Sequence, residues 1–465
     1  MAYSFISLGL KHNEPNILKI SLINLLKTMF RFSKAVLLGL FLCLNALAHD
    51  NSGIVKYSSA EIYKPTPMPD RIVLTWEDNP ATTQSITWRT DTSVKKAYVQ
   101  IAVANASGRD LNTDLFEAKT IFFQSDINQA HYHSVTISSL NPNTLYVYRV
   151  GDRVNWSEYF HFKTASSYPE PFSFIYFGDA QNEVRTHWSR VFREAFRDAP
   201  RASFTLHAGD LVDIKDMDSN WGEWHEGPDW VNATIPLLAT PGNHEYVKYS
   251  KAQRTAPEIS AHWQPQFVFP IQNVPDERLK ETVYYLDYQG VRFISLDSNI
   301  ALEEQVPWIR SVLENNPNKW TIVTFHHPMY SPGTDRDNPH LRKLWKPLFD
   351  EFKVDLVLNG HDHVYSRTGD LAGAKVENVP NDYQQAYDPD VGTVYVVSVS
   401  GPKMYEFTKG NYAKKILEDT QLYQIIDISD NDLRFKAFDA TGKLHDEFQL
   451  KKRKNKPNQL IELSK

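Results

Sequence analysis

Five short polar islands, each following or ending an apolar run, constrain this chain more than any other feature. They are Gly178-Asp179-Ala180-Gln181, Gly209-Asp210-Leu211-Val212-Asp213, Gly242-Asn243-His244-Glu245, His326-His327-Pro328 and Gly360-His361-Asp362-His363. Phe174-Ile175-Tyr176-Phe177 runs into the first, and Val354-Asp355-Leu356-Val357-Leu358 runs towards the last. Short apolar runs bounded by turn signals read as buried strands. In an open α/β sheet, side chains just beyond the strand ends converge on one crevice. The islands therefore bring carboxylates, an amide oxygen and imidazoles, far apart in sequence, to one place.

All five lie in the second of two regions. Residues 67–165 hold strand-like segments at 71–76, 84–89, 98–103, 133–137, 146–150 and 159–163, with Asn141-Pro142-Asn143 as a turn. That spacing predicts an all-β sandwich. His131, His133 and His161 within it are expected at the surface or in packing, because no ligand cluster surrounds them. The Pro-bearing break Ser166–Pro171 ends this region. From 172 to 450 strands and helices alternate, which predicts a layered α/β domain. Helices are expected over 187–197, 305–314 and 341–352, a hairpin at Tyr288-Gln289-Gly290, and strands again from Thr393 to about Leu450. Residues 246–281 and 369–391 read as long connections over the site. The Trp221–Trp230 aromatics are expected to pack beneath a helix, and Lys451-Lys452-Arg453-Lys454 to open a solvated basic tail over 451–465.

The first 48 residues carry the pattern of an export signal. Arg31 and Lys34 precede the apolar run Ala35–Leu44, and Ala46-Leu47-Ala48 fits a cleavage site. A signal peptide beginning at Met29, cleaved after Ala48 and preceded by an extension over 1–28, makes the mature chain periplasmic or secreted. The apolar run is too short to span a bilayer as a helix, so no membrane span is expected in the mature form. Cys43, the single cysteine, lies within that run, which leaves only N and O ligands for a metal in the mature chain. Residues 1–48 hold five of the 50 Lys and Arg and one of the 56 Asp and Glu, so the remainder carries a net charge of −10. That balance argues against nucleic-acid binding by the whole surface, yet bound cations can reverse the field at a local phosphate site.

The donor types point to a pair of metal ions. Asp179 and Asp210 each follow a glycine that lets backbone pass close to an ion, and Asp210 is the natural bridging carboxylate. Asn243 offers an amide oxygen, while His326, His361 and His363 offer imidazoles, a set suited to Zn, Mn or Fe. On extended backbone His361 and His363 share a side and reach adjacent metals. Two such ions clamp an in-line phosphoryl displacement by a metal-activated hydroxide. His244 points elsewhere than Asn243, and either gives a proton to the leaving oxygen and contacts phosphate, or holds Asp210 in place.

On these motifs the chain resembles the calcineurin-like metallophosphoesterase superfamily, and within it bacterial relatives of the purple acid phosphatases. The resemblance covers about 67–450, and Val323-Thr324-Phe325-His326 fits the fourth motif. It implies a fibronectin-III-like sandwich ahead of a four-layer β-α-α-β catalytic domain with a di-metal centre. One metal would take Asp179, Asp210 and His363; the other would take Asp210, Asn243, His326 and His361. Two positions depart from the pattern. Asp213 stands where the purple enzymes hold ferric iron with tyrosinate, and either binds metal or has a hydrogen-bonding role. Gln181 stands where much of the superfamily has histidine, and is either an oxygen ligand or a pocket residue. A divalent pair is therefore expected. His327 lines the site or orients a loop. Arg336, His340 and Arg342, and beyond them Tyr365 and Arg367, are substrate-side candidates or packing residues. The function implied is an exported phosphatase of small phosphate monoesters. The alternatives are a phosphodiesterase or nucleotide hydrolase with the same centre, and a surface-binding module with an inactive catalytic domain.

Overall fold

Every strand expected in the first region forms, and burial explains two that polarity concealed. The strands are β1 (Asp70–Thr75), β2 (Gln84–Thr90), β3 (Tyr98–Val103), β4 (Asp114–Glu117), β5 (Lys119–Gln124), β6 (Gln129–Ile137), β7 (Leu145–Gly151) and β8 (Phe160–Lys163). They pair as two antiparallel sheets, β1-β2-β6-β5 and β4-β3-β7-β8. Leu74, Ile86 and Trp88 of one sheet and Val99, Tyr148 and Phe162 of the other fill the space between. Strands β4 and β5 are largely exposed, so they lack the alternation that marks a half-buried strand. The computed structural model describes residues 56–246, 257–333, 336–377, 379–407 and 411–464. The expected signal peptide and upstream extension lie outside the described residues. Among these residues no helix is long and apolar enough to cross a membrane.

Two mixed seven-stranded sheets form the second domain. The first holds β9 (Phe172–Phe177), β10 (Thr205–His207) and β11 (Leu237–Ala239), in the order β11-β10-β9. The second contains β12 (Tyr284–Tyr288), β13 (Val291–Ser295), β14 (Trp320–Thr324), β15 (Leu356–Asn359), β16 (Tyr365–Arg367), β17 (Val394–Val397) and β18 (Lys415–Leu417). Its order is β12-β13-β14-β15-β17-β16-β18. The chain then returns to the first sheet as β19 (Leu422–Ser429), β20 (Asp432–Asp439), β21 (Leu444–Arg453) and β22 (Lys456–Glu462), which extend it from β9. The expected hairpin joins β12 to β13, with Gln289 and Gly290 both at positive φ, as a two-residue turn of matching twist requires.

The layer order differs from the β-α-α-β implied by the resemblance. The sheets pack directly on one another and the helices lie outside, giving α-β-β-α. Phe174 of the first sheet meets Phe293 of the second with ring centroids 5.3 Å apart. On the outer face of the first sheet, Phe177 stacks on Phe192 of α1 (Ser189–Asp198) at 5.2 Å. On the outer face of the second, Phe325 meets Trp345 at 5.2 Å. That tryptophan belongs to α4 (Pro339–Glu351), which follows α2 (Asp218–Glu226) and α3 (Gln305–Glu314). Strands such as β14 are buried throughout, so both faces need cover: one takes a sheet, the other takes helices. The two helix layers of that order would hold the sheets about 30 Å apart, too far for strand ends of the two sheets to touch.

A second correction concerns the basic tail. Lys451–Arg453 end β21, and Lys456–Glu462 pair with it as β22. Lys452 Nζ binds the buried Asp355 carboxylate, which also accepts from Asn458 Nδ2 at 2.5 Å and Thr321 N at 2.8 Å. Within the run, Lys452 supplies the counter-charge for a buried acid. Lys452→Ala should therefore cost about 2 kcal/mol in urea unfolding. A solvated tail would change stability by under about 0.5 kcal/mol.

Candidate metal centre

Strand direction brings the islands together. Strands β9, β10 and β11 run parallel, as do β13, β14, β15 and β17. Asp179, Asp210 and Asn243 lie just past the carboxyl ends of the first group; His326, His361 and His363 lie just past those of β14 and β15. The turns are tight. Asp210 has φ 51° and His361 φ 71°, left-handed conformations that cost an L-residue and persist only where the surroundings impose them. A Cβ on Gly242 would collide with Asp210 Oδ1, and one on Gly360 with Asp179 Oδ1. These glycines make room for the carboxylates.

The donor atoms gather in two groups. His326 Nε2 lies 3.1 Å from Asn243 Oδ1, 3.1 Å from His361 Nδ1 and 3.2 Å from Asp210 Oδ2. His363 Nε2 lies 3.0 Å from Asp179 Oδ2 and 3.5 Å from Gln181 Nε2, and Gln181 Nε2 donates to Asp210 Oδ2 at 2.7 Å. Asp210 Oδ2 thus stands between the groups. The ring orientations follow from their far sides. His326 Nδ1 faces the Ala208 carbonyl at 2.9 Å, and His363 Nδ1 the Lys403 carbonyl at 2.7 Å. Carbonyls only accept, so Nδ1 carries a proton and each ring turns its Nε2 towards acceptor oxygens. Acceptors that crowd Nε2 in this way need a second proton or a metal cation between them. Asp179 Oδ2 and Gln181 Oε1 are also buried without a hydrogen-bond partner among the described residues. The set fits divalent metals with N and O preference.

Charge is balanced accordingly. Burial opposes ionisation of Asp179, yet His326 and His363 hold its carboxyl below the ordinary range. Burial opposes protonation of His326, but the Asp210 and Asp179 charges raise it to about 10. Burial and the neighbouring His327, His326 and Arg336 press His361 far below its usual value, which keeps it a neutral donor.

Glu245 has a role that its place in the third island did not disclose. Fully buried, it accepts from the backbone N–H of Asp210 at 2.9 Å, Leu211 at 2.8 Å, Val212 at 3.3 Å and Gly242 at 2.7 Å. It clasps the second and third islands to each other. Burial and the Asp210 charge push its carboxyl above the ordinary range. Tyr405, not singled out in the sequence, stacks on His363 at 4.5 Å and 20°.

The remaining candidates separate by position. His244 N donates to Asp210 Oδ1 at 2.8 Å, and its Nδ1 donates to Asp213 O at 2.5 Å, which leaves Nε2 for the site. Asp213 Oδ1 lies 3.5 Å from the same Nδ1. His327 shares a 2.8 Å hydrogen bond with Ser298, and its ring lies 4.2 Å from that of His361. With Asn243, Tyr246, Ser298, Asn299 and His340 it lines a cavity of about 420 Å³. His340 stands on the exposed rim, bonded to Glu303 at 2.7 Å. Arg336 braces the fifth island through Asp362 and the His361 carbonyl. Arg342 is buried against Asp337 and Asp382, and Tyr365 and Arg367 bind the buried Asp446, so these three hold the fold. Trp221 and Trp224 pack in the core, while Trp230 is exposed.

Residues 69–164 match the purple acid phosphatase N-terminal domain, and residues 172–365 match the calcineurin-like phosphoesterase domain. The chain belongs to the calcineurin-like phosphoesterases, in their purple acid phosphatase branch. This family uses a dinuclear metal centre and acts on phosphorylated substrates. Purple acid phosphatase 15 of Arabidopsis thaliana is 26% identical over 58% of this chain and 53% of its own length. Acid phosphatase type 7 of Danio rerio is 28% identical over 70% of this chain and 79% of its own. Measured against the plant relative, the chain spans about half the length. Other relatives are named probable inactive purple acid phosphatases. The fold matches a purple acid phosphatase from yellow lupin (Lupinus luteus) seeds with a TM-score of 0.68, at 20% identity, over 82% of this chain and 74% of that one.

The proton on His326 gives the chain a pH signature once metal is removed. A folded-state value of about 10, above the ordinary 6.5, contributes stability that is full below about 6.5 and lost as pH rises towards 10. After chelation the thermal midpoint should fall steadily from pH 7 to 9.5. Added Zn or Mn should flatten that slope, because a cation takes the proton's place. A midpoint that is level in both states contradicts the charge balance described above.

Proposed function

We propose that this chain is an exported di-metal phosphoesterase that hydrolyses small phosphate monoesters. The observation that carries the reading is the pair of buried donor groups meeting at Asp210 Oδ2 beside a cavity of about 420 Å³. In this reading Asp179, Asp210 and His363 would hold one ion. Asp210, Asn243, His326 and His361 hold the other. Such ions, when bound, supply positive charge to phosphoryl oxygens and activate water. The chain's own residues do the rest. His327 lines the cavity that would receive the phosphate and His340 stands at its rim, while Arg336 would act through the His361 loop that it braces. His244 is anchored through Nδ1, so in its doubly protonated form Nε2–H would be the proton given to the leaving oxygen, leaving the neutral ring still bonded to Asp213 O. Gln181, as oriented, donates to Asp210 and steadies the bridging carboxylate. Asp213 turns to His244 and supports the acid rather than an ion. Export rests on the segment from Arg31 to Ala48.

Turnover of p-nitrophenyl phosphate is expected to exceed that of the bis ester with Zn, Mn or Fe, measured beside Mg as a control. Dominant diester turnover would replace the monoester reading. Asp210→Asn should lower hydrolysis at least about 100-fold with loss of bound metal, because one carboxylate serves both groups. Wild-type turnover in that variant refutes the assignment of Asp210 as the shared ligand.

A further inference from the structure

A buried charge cluster away from the metal centre ties the two domains together. Strand β1 is irregular between Asp70 and Val73, and Arg71 there has φ 50°. Bulges of this kind re-aim a side chain, and left-handed backbone at a non-glycine residue costs energy. The Arg71 side chain, 3% exposed, enters the second domain. Its Nη1 donates to Asp218 Oδ1 at 2.5 Å and to the Tyr132 hydroxyl at 3.1 Å, and its Nη2 to Asp218 O at 3.3 Å. Arg89 Nη1 reaches Asp218 Oδ2 at 3.3 Å while its other nitrogens hold Asp70. Asp126, on the turn between β5 and β6, accepts from Asp218 N at 2.9 Å. Three sandwich side chains thus grip one residue. Apolar packing would join two domains at lower desolvation cost, so the cluster calls for a role beyond adhesion.

Asp218 opens α2 and closes the loop 213–217, whose other end is Asp213. This loop is fastened along its length. Ile214 N donates to Asn220 Oδ1 at 3.1 Å, and Lys215 O accepts from Trp221 Nε1 at 2.7 Å and Ser260 Oγ at 2.5 Å. Asp213 O then accepts from His244 Nδ1. A continuous path runs from Arg71 through Asp218 and the loop to the His244 ring.

We propose that Arg71, with Arg89 and Asp126, is a positioning residue for His244. The N-terminal domain sets the loop that fixes which His244 nitrogen faces the leaving oxygen. This rests on the reading of His244 as the donor to that oxygen. Such donation matters for a poor leaving group and little for a good one, and a general loss of structure would not make that distinction.

The full chain carrying Arg71→Ala or Asp126→Ala is assayed on an alkyl phosphate and on p-nitrophenyl phosphate, with bound metal measured in each variant. Turnover of the alkyl ester should fall about 10-fold and that of the p-nitrophenyl ester less than about 2-fold, with metal content unchanged. In a His244→Ala background, Arg71→Ala should add no further loss on the alkyl ester. Equal losses on both esters, or full additivity with His244→Ala, overturn the proposal and leave the reading of His244 standing. Wild-type alkyl-ester turnover by His244→Ala alone refutes that reading instead. If Arg71→Ala does not fold, Asp126→Ala decides, since its side chain lies at the surface.

Discussion

Asp179 and Asp210 are held close together at 1% exposure or less, where water cannot screen them. Two like charges in such a place are costly unless opposite charge or proton donors answer them. Much of the second domain serves that need. Imidazoles from the second sheet lie against both carboxylates. Backbone N–H groups of His244 and His361 donate to Asp210 Oδ1 and Asp179 Oδ1 at 2.8 and 2.6 Å. Glu245 takes up the backbone N–H groups of the loop carrying Asp210, so that loop keeps a strained shape without orphaned donors.

Direct contact between the two sheets follows from the same constraint. Ligand atoms past β9 and β10 must come within about 3 Å of those past β14 and β15. Sheets packed face to face, about 10 Å apart, permit that when their parallel strands end at one edge. Helices can then cover only the outer faces. Motif order carries no information about which layer lies in the middle, so the layer order expected from the resemblance was reversed while the succession of an all-β and an α/β domain was legible.

The charged contact between the domains gives the sandwich a part in this arrangement. It enters at the start of α2, directly after the loop that anchors His244, and not at the strands that carry the ligands. Ligand placement thus depends on the second domain alone, while the orientation of His244 draws on both. Neither Arg71 nor Asp218 stood out in the sequence, because an arginine in a strand and an aspartate before a helix each have ordinary local explanations. Only their burial and their meeting across the domains, 147 positions apart, mark them.

Residue chemistry and spacing along the chain determined the two regions, the strand ends carrying the islands, and the N and O character of the donor set. These are local properties: a buried strand followed by glycine and a polar side chain reads the same wherever it folds. The tertiary structure alone decided that Gln181 turns its amide nitrogen to Asp210, that Asp213 faces His244, and that Lys451–Arg453 belong to a sheet. It likewise sent Arg342, Tyr365 and Arg367 inward to buried carboxylates. Each of those outcomes depends on which distant charge or donor lies opposite. The five islands could therefore be found by reading along the chain, but the partners that orient them could not.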